Sequence, residues 1–377
     1  MAVTATVGMW AGVVAPPASA ATTWTQQAEL VASDGAAYQF YGHSVAYDGT
    51  TAIVGSDFND APASAWVYTG SGSSWTKDAT LTVADTSACF GNAVAVSGAT
   101  ALVSDPCGNG AVYVFTLSGG EWSNTATLTV SDAQYFGTAI ALDGSTALIS
   151  NPGASTPEAY IFTKSRKGVW SQSAKLTPSA SSGVDLNTAL GGYQGTVALS
   201  GQTAVIGAAD AANGTEYNSG AAYVFQAKGK RWAQAAELLG SNAYDGFGSS
   251  VATDGASVVI GASNASKAYV YSLGRRNSVS LATTLTGQSG ETFGFAVGVS
   301  GPNVIVGARD GNTAYAYTSA DSWANVQTLT PDTSTSTTTP YQYGCTVAIH
   351  GATAFVGADD SYATYDAQGA AYVFTLA

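Results

Sequence analysis

A motif built around one glycine recurs seven times along the chain, at intervals of 46 to 58 residues. Its clearest copy begins at Phe247-Gly248, continues through Val259-Ile260-Gly261-Ala262 and ends at Tyr271. A tandem period of this length is typical of a propeller, a solenoid or an array of small units. The recurring glycines are Gly42, Gly91, Gly137, Gly195, Gly248, Gly294 and Gly344.

Each repeat contains four short apolar runs that are rich in Val, Ile, Tyr, Phe and Thr and are separated by Gly, Asn, Asp and Ser. Examples of the four types are Ala93–Val96, Thr203–Ile206, Ala222–Phe225 and Trp232–Leu238. Runs of this length and composition are strand signals, and no helical period competes with them. The turn between the first two runs holds Asp-Gly or Ser-Gly, which supports a tight hairpin. Each repeat is therefore predicted to be a four-stranded antiparallel meander.

The two ends of the chain predict how the repeats are arranged. Trp24 to Leu30 is a run of the fourth type that precedes the first motif, and the last copy ends at Phe374 after its third run. The sequence thus predicts an all-β, seven-bladed β-propeller in which the N-terminal strand completes the last blade as its outer strand. Such closure leaves no open seam in the ring.

A ring of seven blades uses the whole chain as one domain, which we assign to residues 21–377. Residues 1–20 are predicted to be a secretion signal, because a stretch of small apolar residues precedes Ala18-Ser19-Ala20. No apolar run reaches the length of a membrane span. Only 10% of the residues are charged, which indicates a neutral Ser/Thr/Gly/Asn surface of the kind expected of a stable extracellular protein.

The chain has three cysteines. Cys89 lies just before the first strand of the second blade and Cys107 lies just after its second strand, so both thiols are expected at the same end of one hairpin. We therefore predict a disulfide between them, which fits an oxidising compartment. Cys345 is left over and is expected to be a small buried apolar residue.

These motifs resemble the FG-GAP repeat family, which includes the β-propeller of integrin α-subunits, and the bacterial form of the repeat is the closer likeness. The resemblance covers residues 24 to 377 and is carried by Phe247–Tyr271, Gly220–Phe225 and Gly369–Phe374. It implies secretion and a binding or adhesion role, and seldom catalysis. Members that bind calcium carry Asp-x-Asp-x-Asp-Gly loops, whereas the loops here hold only fragments of that pattern. No cofactor is therefore predicted, and the candidates for a calcium ligand are Asp57, Asp60 and Asp310.

Charge is laid out unevenly over the predicted ring, within a formal net charge of −13. Asp and Asn residues follow the second strands and precede the first strands, which places them on one face. Most cations lie in the turns between third and fourth strands, on the opposite face: Lys164, Arg166, Lys167, Lys228, Lys230, Arg231, Arg275 and Arg276. An acidic face favours cationic or hydroxyl-rich ligands, although Asp and Asn at such positions also serve simply to cap turns.

The loops between second and third strands are the predicted binding rim, because loops on a rigid ring usually carry function. Tyrosine beside Asp or Asn could stack on a sugar whose hydroxyls the polar group binds. The expected partner is an extracellular protein or glycan, with no nucleic acid. The candidate ligand-binding residues are Asp210, Glu216, Tyr217, Asp310, Asp359, Asp360, Tyr362, Tyr365 and Asp366.

Catalysis is not expected from the motifs. The chain has two histidines and no Gly-x-Ser-x-Gly, His-x-x-x-His or Cys-x-x-Cys pattern. Two alternatives remain open beside a binding module. One is a carbohydrate-active hydrolase that uses paired carboxylates on the acidic face, and the other is a structural component of a surface layer or matrix.

Overall fold

The computed structural model describes residues 23–32, 40–56, 64–84, 89–107, 110–131, 133, 135–153, 158–181, 184–185, 196–275, 278–332, 340–359 and 369–377. The predicted signal at residues 1–20 lies outside the described residues. The described part is almost entirely β-structure and contains no α-helix, and two single 3₁₀ turns occur at Ser263–Ala265 and Ser319–Asp321.

Seven antiparallel sheets of four strands form the blades. The last blade recruits the first strand of the chain, β1 (Trp24–Leu30). Blades 1 to 3 comprise β2 (Ser44–Tyr47), β3 (Thr51–Gly55), β4 (Ala65–Ser71) and β5 (Ser74–Leu81); β6 (Val94–Ser97), β7 (Thr100–Asp105), β8 (Ala111–Ser118) and β9 (Glu121–Leu128); and β10 (Ile140–Asp143), β11 (Thr146–Asn151), β12 (Glu158–Lys164) and β13 (Trp170–Leu176).

Blades 4 to 7 follow the same plan, with one addition. A two-residue strand, β14 (Val184–Asp185), pairs with β17 (Ala212–Asn213) beside blade 4. The blades comprise β15 (Thr196–Ser200), β16 (Thr203–Ala208), β18 (Ala221–Lys228) and β19 (Arg231–Leu239); β20 (Phe247–Thr253), β21 (Ser257–Ala262), β22 (Lys267–Leu273) and β23 (Val279–Thr286); β24 (Phe293–Ser300), β25 (Asn303–Ala308), β26 (Thr313–Thr318) and β27 (Val326–Leu329); and β28 (Tyr343–His350), β29 (Thr353–Ala358), β30 (Ala370–Leu376) and β1.

The ring closes as the sequence predicts. Strand β1 pairs with β30 from Trp24 opposite Leu376 to Leu30 opposite Ala371, and β2 of blade 1 packs against β28 of blade 7. The side-chain amide of Gln327 in blade 6 also holds Trp24, since Trp24 N–H donates to Oε1 at 2.7 Å and Nε2 donates to Trp24 O at 2.5 Å. Strand β1 is therefore joined by hydrogen bonds to β30 in its own blade and to Gln327 in the neighbouring blade.

The hydrophobic core is divided into seven layers, one between each pair of adjacent blades. The layer at the seam joins Tyr41 and Trp66 of blade 1 to Phe355 and Val373 of blade 7. The repeated tryptophans at the start of the fourth strands pack against these layers, as expected for core residues rather than sugar platforms. These are Trp24, Trp75, Trp122, Trp170, Trp232 and Trp323.

The motif glycines lie where the backbones of adjacent blades touch. Gly248 has a φ of +94°, and a Cβ there would lie 2.3 Å from Ala221 O of the preceding blade. A Cβ on Gly207 would in turn lie 2.2 Å from Gly248 O. The same contact recurs at the seam, where a Cβ on Gly357 would lie 2.2 Å from Gly42 O. Glycine is required at these positions because no side chain fits between the two backbones.

Candidate functional site

The two faces of the ring are defined by the meander. Face A carries the starts of the first strands, the loops between second and third strands, and the connections from each blade to the next. Face B carries the turns between first and second and between third and fourth strands. In the described residues, the acidic positions that follow the second strands lie on face A, and the cationic turns of blades 3, 4 and 5 lie on face B.

Not every polar residue of face A is available to a ligand. The side chains of Asp105 and Asn151 are buried, with 6% and 0% exposed. Asn151 Nδ2 donates to Glu158 Oε1 at 3.2 Å, and Tyr160 donates its hydroxyl to the same oxygen at 2.6 Å. Lys175 completes this group by an ion pair with Glu158. Asp105 of blade 2 and Asn151 of blade 3 are therefore buried in their blades and do not form a ligand surface.

A cavity of about 820 Å³ opens on face A and follows the axis of the ring. Each blade contributes the residue that directly follows its motif glycine: His43, Asn92, Thr138, Thr196, Ser249, Phe295 and Cys345. Farther along the same strands, Val251, Val297 and Val347 line an apolar wall. The cavity therefore offers a ring of largely polar side chains above an apolar wall.

His43 of this ring pairs with Asp359, which lies behind the cavity lining at the seam of blades 1 and 7. Nδ1 of His43 lies 3.1 Å from Oδ2 of Asp359, and Asn92 Nδ2 lies 3.5 Å from Nε2 of the same imidazole. His43 is about one third exposed, whereas Asp359 is 13% exposed. The Oδ1 atom of Asp359 is buried and has no hydrogen-bond partner among the described residues.

Cys345 borders the same cavity and does not behave as a simple core residue. It is half-buried, and its thiol Sγ lies 3.7 Å from Gly42 O across the seam. Burial raises the pKa of this thiol well above its usual value, and the Asp359 carboxylate adds to the rise. Cys345 is therefore a neutral thiol at pH 7, which is the form that does not act as a nucleophile.

Arg309 and Asp310 follow the second strand of blade 6, and Arg309 contacts Phe295, which lines the cavity. The Arg309 guanidinium stacks 4.2 Å from the centre of the Phe295 ring, and its Nε donates to Asp310 Oδ1 at 3.1 Å. Asp310 is thus engaged by a cation of its own chain. The other two calcium candidates, Asp57 and Asp60, lie outside the described residues. Within the described ranges, no group of three or more His, Cys, Asp or Glu side chains is arranged to hold a metal ion.

The rim loop of blade 4 is held by the residues that the sequence put forward as ligands. Asn213 and Glu216 exchange two backbone hydrogen bonds, and Glu216 Oε2 accepts a bond from Ala243 N–H at 2.9 Å. Glu216 therefore fixes the loop against the connection to blade 5. Burial raises the pKa of Asp210 at the start of this loop. Asp360, Tyr362, Tyr365 and Asp366 lie outside the described residues.

Tyr217 projects from this rim and is 66% exposed. Its carbonyl accepts a bond from the N–H of Tyr244 at 2.8 Å, and Tyr244 is 63% exposed. Two further tyrosines of face A, Tyr135 and Tyr341, are 42% and 54% exposed. Tyr135 also borders the axial cavity. Every strongly exposed aromatic side chain in the described ranges is thus on face A.

The sequence did not single out Tyr135, Tyr244, Tyr341, Arg309 or Phe295 as functional residues. Aligning the seven repeats on their glycines would have shown one signal, because the residue after each glycine varies in chemistry more widely than the residues on either side. Nothing in the sequence marks the exposed tyrosines, which differ in their distance from the motif.

On the same face, Cys89 and Cys107 are joined in a disulfide with their Cα atoms 5.8 Å apart.

The fold and its closure define a seven-bladed β-propeller with an open axial cavity on one face. Two segments, residues 24–71 and 170–225, match the FG-GAP repeat family model. Both begin at the tryptophan of a fourth strand and end in the third strand of the next blade. The chain is accordingly a propeller that carries FG-GAP repeats. No curated protein matches the chain.

Solved structures share the fold at low sequence identity. A chain of the mitotic checkpoint complex has a TM-score of 0.58 at 11% identity, covering 99% of this chain and 98% of the other. Sqt1 from Chaetomium thermophilum bound to the N-terminus of ribosomal protein L10 has a TM-score of 0.54 at 14% identity, covering 89% and 85%. A candidate 6-phosphogluconolactonase from Bacteroides uniformis has a TM-score of 0.55 at 14% identity, covering 76% and 84%. Such likeness indicates the propeller fold alone.

Proposed function

We propose that the protein is a secreted, non-catalytic binding propeller that recognises an extracellular protein or glycan with face A. The observation that carries this proposal is the placement of Tyr135, Tyr217, Tyr244 and Tyr341. Tyrosine supplies a large rigid contact area with a polar end, and it is enriched at binding surfaces. No Tyr, Trp or Phe side chain described on face B is strongly exposed.

The axial cavity supplies the second part of the site. Its polar ring can bond a side chain or a sugar hydroxyl, and its apolar wall can accept the remainder of the group. The tyrosines lie around this opening in the connections and loops of blades 3, 4, 5 and 7. A ligand that crosses face A would therefore contact rigid aromatic rings at the rim and hydrogen-bonding groups at the centre. Sqt1, a propeller of the same fold, binds a protein terminus, which is consistent with a protein ligand.

Secretion is part of the proposal and is supported by two features. The residue pattern of 1–20 resembles a signal, and the Cys89–Cys107 disulfide is of a kind that persists in oxidising compartments. In the described part of the chain, no helix has the length and apolar character needed to cross a membrane.

The hydrolase alternative needs two carboxylates around one substrate bond. No Asp or Glu of the described residues lines the axial cavity, and Asp310 and Asp359 each face a basic side chain. This arrangement favours binding over glycoside cleavage. The alternative is tested by incubating the purified protein with oligosaccharides of mixed linkage and measuring released reducing ends, where turnover that Asp359→Asn abolishes would establish an enzyme.

The binding proposal is tested on a glycan array and a phage-displayed peptide library, each probed with the wild-type protein. We expect a selected ligand to lose at least about tenfold in affinity when Tyr217 and Tyr244 are both replaced by alanine. The matched control replaces Leu281 and Val326, which are exposed on the outer strands of blades 5 and 6. If a ligand kept its affinity for the tyrosine variant but lost affinity for the control variant, the binding site would not be on face A.

A further inference from the structure

Six exposed cations lie together on face B, on the side opposite the proposed binding face. They occupy the turns between third and fourth strands in three consecutive blades, and we call them the basic arc. Blade 3 contributes two, blade 4 three and blade 5 one: Arg166, Lys167, Lys228, Lys230, Arg231 and Arg275. Blades 3, 4 and 5 are neighbours in the ring because their layers of core residues are shared. The basic arc therefore spans three consecutive blades on one side of the ring.

The basic arc is not neutralised by the protein. The chain has 25 acidic residues against 12 basic ones, yet none of the six cations forms an ion pair with any carboxylate in the described ranges. By contrast, His43, Lys175 and Arg309 each lie within ion-pair distance of a carboxylate. The carboxylates of face B in these blades, Asp143 and Asp254, lie in the turns between first and second strands and accept hydrogen bonds from Gly201 and Gly301. Six neighbouring cations without an ion-pair partner among the described residues favour an anionic ligand at their turns.

The same turns in other blades carry no positive charge. The turn of blade 1 reads Ser71-Gly72-Ser73-Ser74, the turn of blade 2 ends in Glu121, and the turn of blade 6 contains Asp321. The backbone of these turns is shared, since Gly72 and Gly229 are both left-handed, with φ of +54° and +65°. Lysine and arginine are thus not needed to build the turn, and their presence in three adjacent blades calls for a different explanation.

We propose that the basic arc binds a linear anionic polysaccharide, one that carries sulfate or uronic acid groups. The tips of three neighbouring hairpins form a curved track on the rim, which fits a long chain of repeated charges better than a single small anion. An anionic lipid surface would need apolar side chains to insert, and Val169 is the one strongly exposed apolar residue described in these turns. A single-stranded nucleic acid is bound through exposed aromatic rings on which its bases stack, and Trp170 and Trp232 are half-buried in the core layers.

The proposed ligand leaves face A free, so the protein could hold a polysaccharide and its face A ligand at the same time. The inference is independent of the proposed function. Loss of polysaccharide binding would leave the face A site in place, and failure of the face A proposal would leave the basic arc as it is.

Heparin serves as the probe. The variant Lys228→Ser/Lys230→Ser/Arg231→Ser converts the blade 4 turn into the Ser-Gly-Ser-Ser turn of blade 1, in which Ser71 and Ser74 are paired as Lys228 and Arg231 are. The wild-type protein should bind immobilised heparin in low salt and elute as NaCl rises. Because polyanion binding releases counterions, log K should fall linearly with log[NaCl], and the variant should reduce that slope by roughly 2 to 3.

The control variant Lys77→Ser/Lys267→Ser removes two cations that lie outside the basic arc, and it should retain the wild-type elution position. Circular dichroism of each variant shows whether the fold is kept. A triple variant that is folded and elutes with the wild type would overturn the proposal. Stronger binding to vesicles of phosphatidylglycerol and phosphatidylcholine, or to a single-stranded oligonucleotide, than to heparin at the same salt would also overturn it. Tyr217→Ala/Tyr244→Ala should leave heparin binding unchanged.

Discussion

Nδ1 of His43 and Oδ2 of Asp359 lie 3.1 Å apart although 316 positions separate them in the chain. His43 belongs to the first blade and Asp359 follows the second strand of the last blade, so the pair crosses the seam of the ring. Cys345 Sγ and Gly42 O approach each other beside it, at 3.7 Å. The centre of the candidate site is thus assembled from the two ends of the sequence, and it exists only when the ring is closed.

The His43–Asp359 pair should matter more for binding than for folding. We expect Asp359→Asn to lower the free energy of unfolding by less than about 1 kcal/mol, because the imidazole is one third exposed and pairs of this kind contribute little. The same change should weaken a face A ligand clearly. Urea unfolding and titration of that ligand measure the two effects. Asn92→Ala, which removes the other polar side chain near His43, is the matched variant. If Asp359→Asn lowered the free energy of unfolding more than the free energy of ligand binding, the pair would serve only to hold the seam closed.

The amide of Gln327 should stabilise the closure of the ring. It makes two hydrogen bonds to the backbone of Trp24, and each is worth about 1 kcal/mol. Gln327→Ala should therefore lower the free energy of unfolding by about 1–2 kcal/mol, measured by urea titration. Gln27→Ala is the control, because its amide bonds only within its own strand, to Thr25. Equal stability of both variants would show that the hydrogen bonds between Gln327 and Trp24 contribute nothing.

Removal of residues 1–31 should destabilise the ring more than loss of the Gln327 hydrogen bonds does. The deletion leaves β30 as an unpaired edge strand. It also removes Trp24 and Leu30, which are buried in two different core layers. Exposed strand edges template aggregation. We expect the truncated chain to aggregate and a peptide of residues 23–32 to restore a soluble monomer in size-exclusion chromatography. A truncated chain that stays monomeric without the peptide would contradict this account of closure.

Gly207 should tolerate no side chain. A Cβ there would lie 2.2 Å from both Gly248 O and Thr196 Oγ1, so Gly207→Ala forces two blades apart. Overpacking of this kind costs about 1–3 kcal/mol or more. Gly201→Ala in the same blade is the control, because its Cβ would meet nothing within 4 Å and its cost of about 1 kcal/mol comes from the left-handed φ alone. Thermal unfolding of both variants measures the difference.

Alkaline pH should destabilise the propeller through its buried tyrosines. Burial raises the pKa of Tyr315 to about 12, and the hydrogen bond to Glu291 and its charge add to the rise. A raised pKa means that the folded state favours the protonated phenol. This contribution is complete below pH 10, the ordinary tyrosine pKa, and it is lost as the pH rises from about 10 to about 12.

The measurement is the free energy of unfolding across that range, together with the ultraviolet titration of phenolate. Glu291→Gln keeps an acceptor near the Tyr315 hydroxyl, which lies 3.0 Å from Oε2, but it removes the charge. It should shift the titration of Tyr315 toward lower pH. An unchanged titration would show that burial alone sets the pKa.

Much of the fold can be predicted from the sequence because its signals are local and repeated. The apolar runs, the Asp-Gly and Ser-Gly turns and the motif glycines specify four strands seven times over. The pairing of Trp24–Leu30 with the last blade follows from counting those strands. The relation of Cys89 to Cys107 follows from the antiparallel course of one hairpin. Each of these inferences involves residues within one repeat or the order of repeats.

The candidate site could be predicted only in part. The sequence placed Asp210, Asp310 and Asp359 on one face, and the structure shows that Asp310 pairs with Arg309 and Asp359 with His43. Glu216, named as a ligand residue, bonds the backbone of Ala243 instead. Asp105 and Asn151 belong to the same periodic set but are buried. Repetition predicts the position of a residue in its blade, but it does not predict which side chain of the next blade it meets.

The propeller follows from the amino-acid sequence, since each repeat predicts four short strands and the run Trp24–Leu30 supplies the strand that the last repeat lacks. The arrangement of the variable positions becomes visible once the blades are packed into a ring. The residues after the motif glycines converge on one cavity, four tyrosines from different loops share one face, and six cations form the basic arc. These sets depend on the angles and contacts between blades, which act over distances that no local pattern encodes.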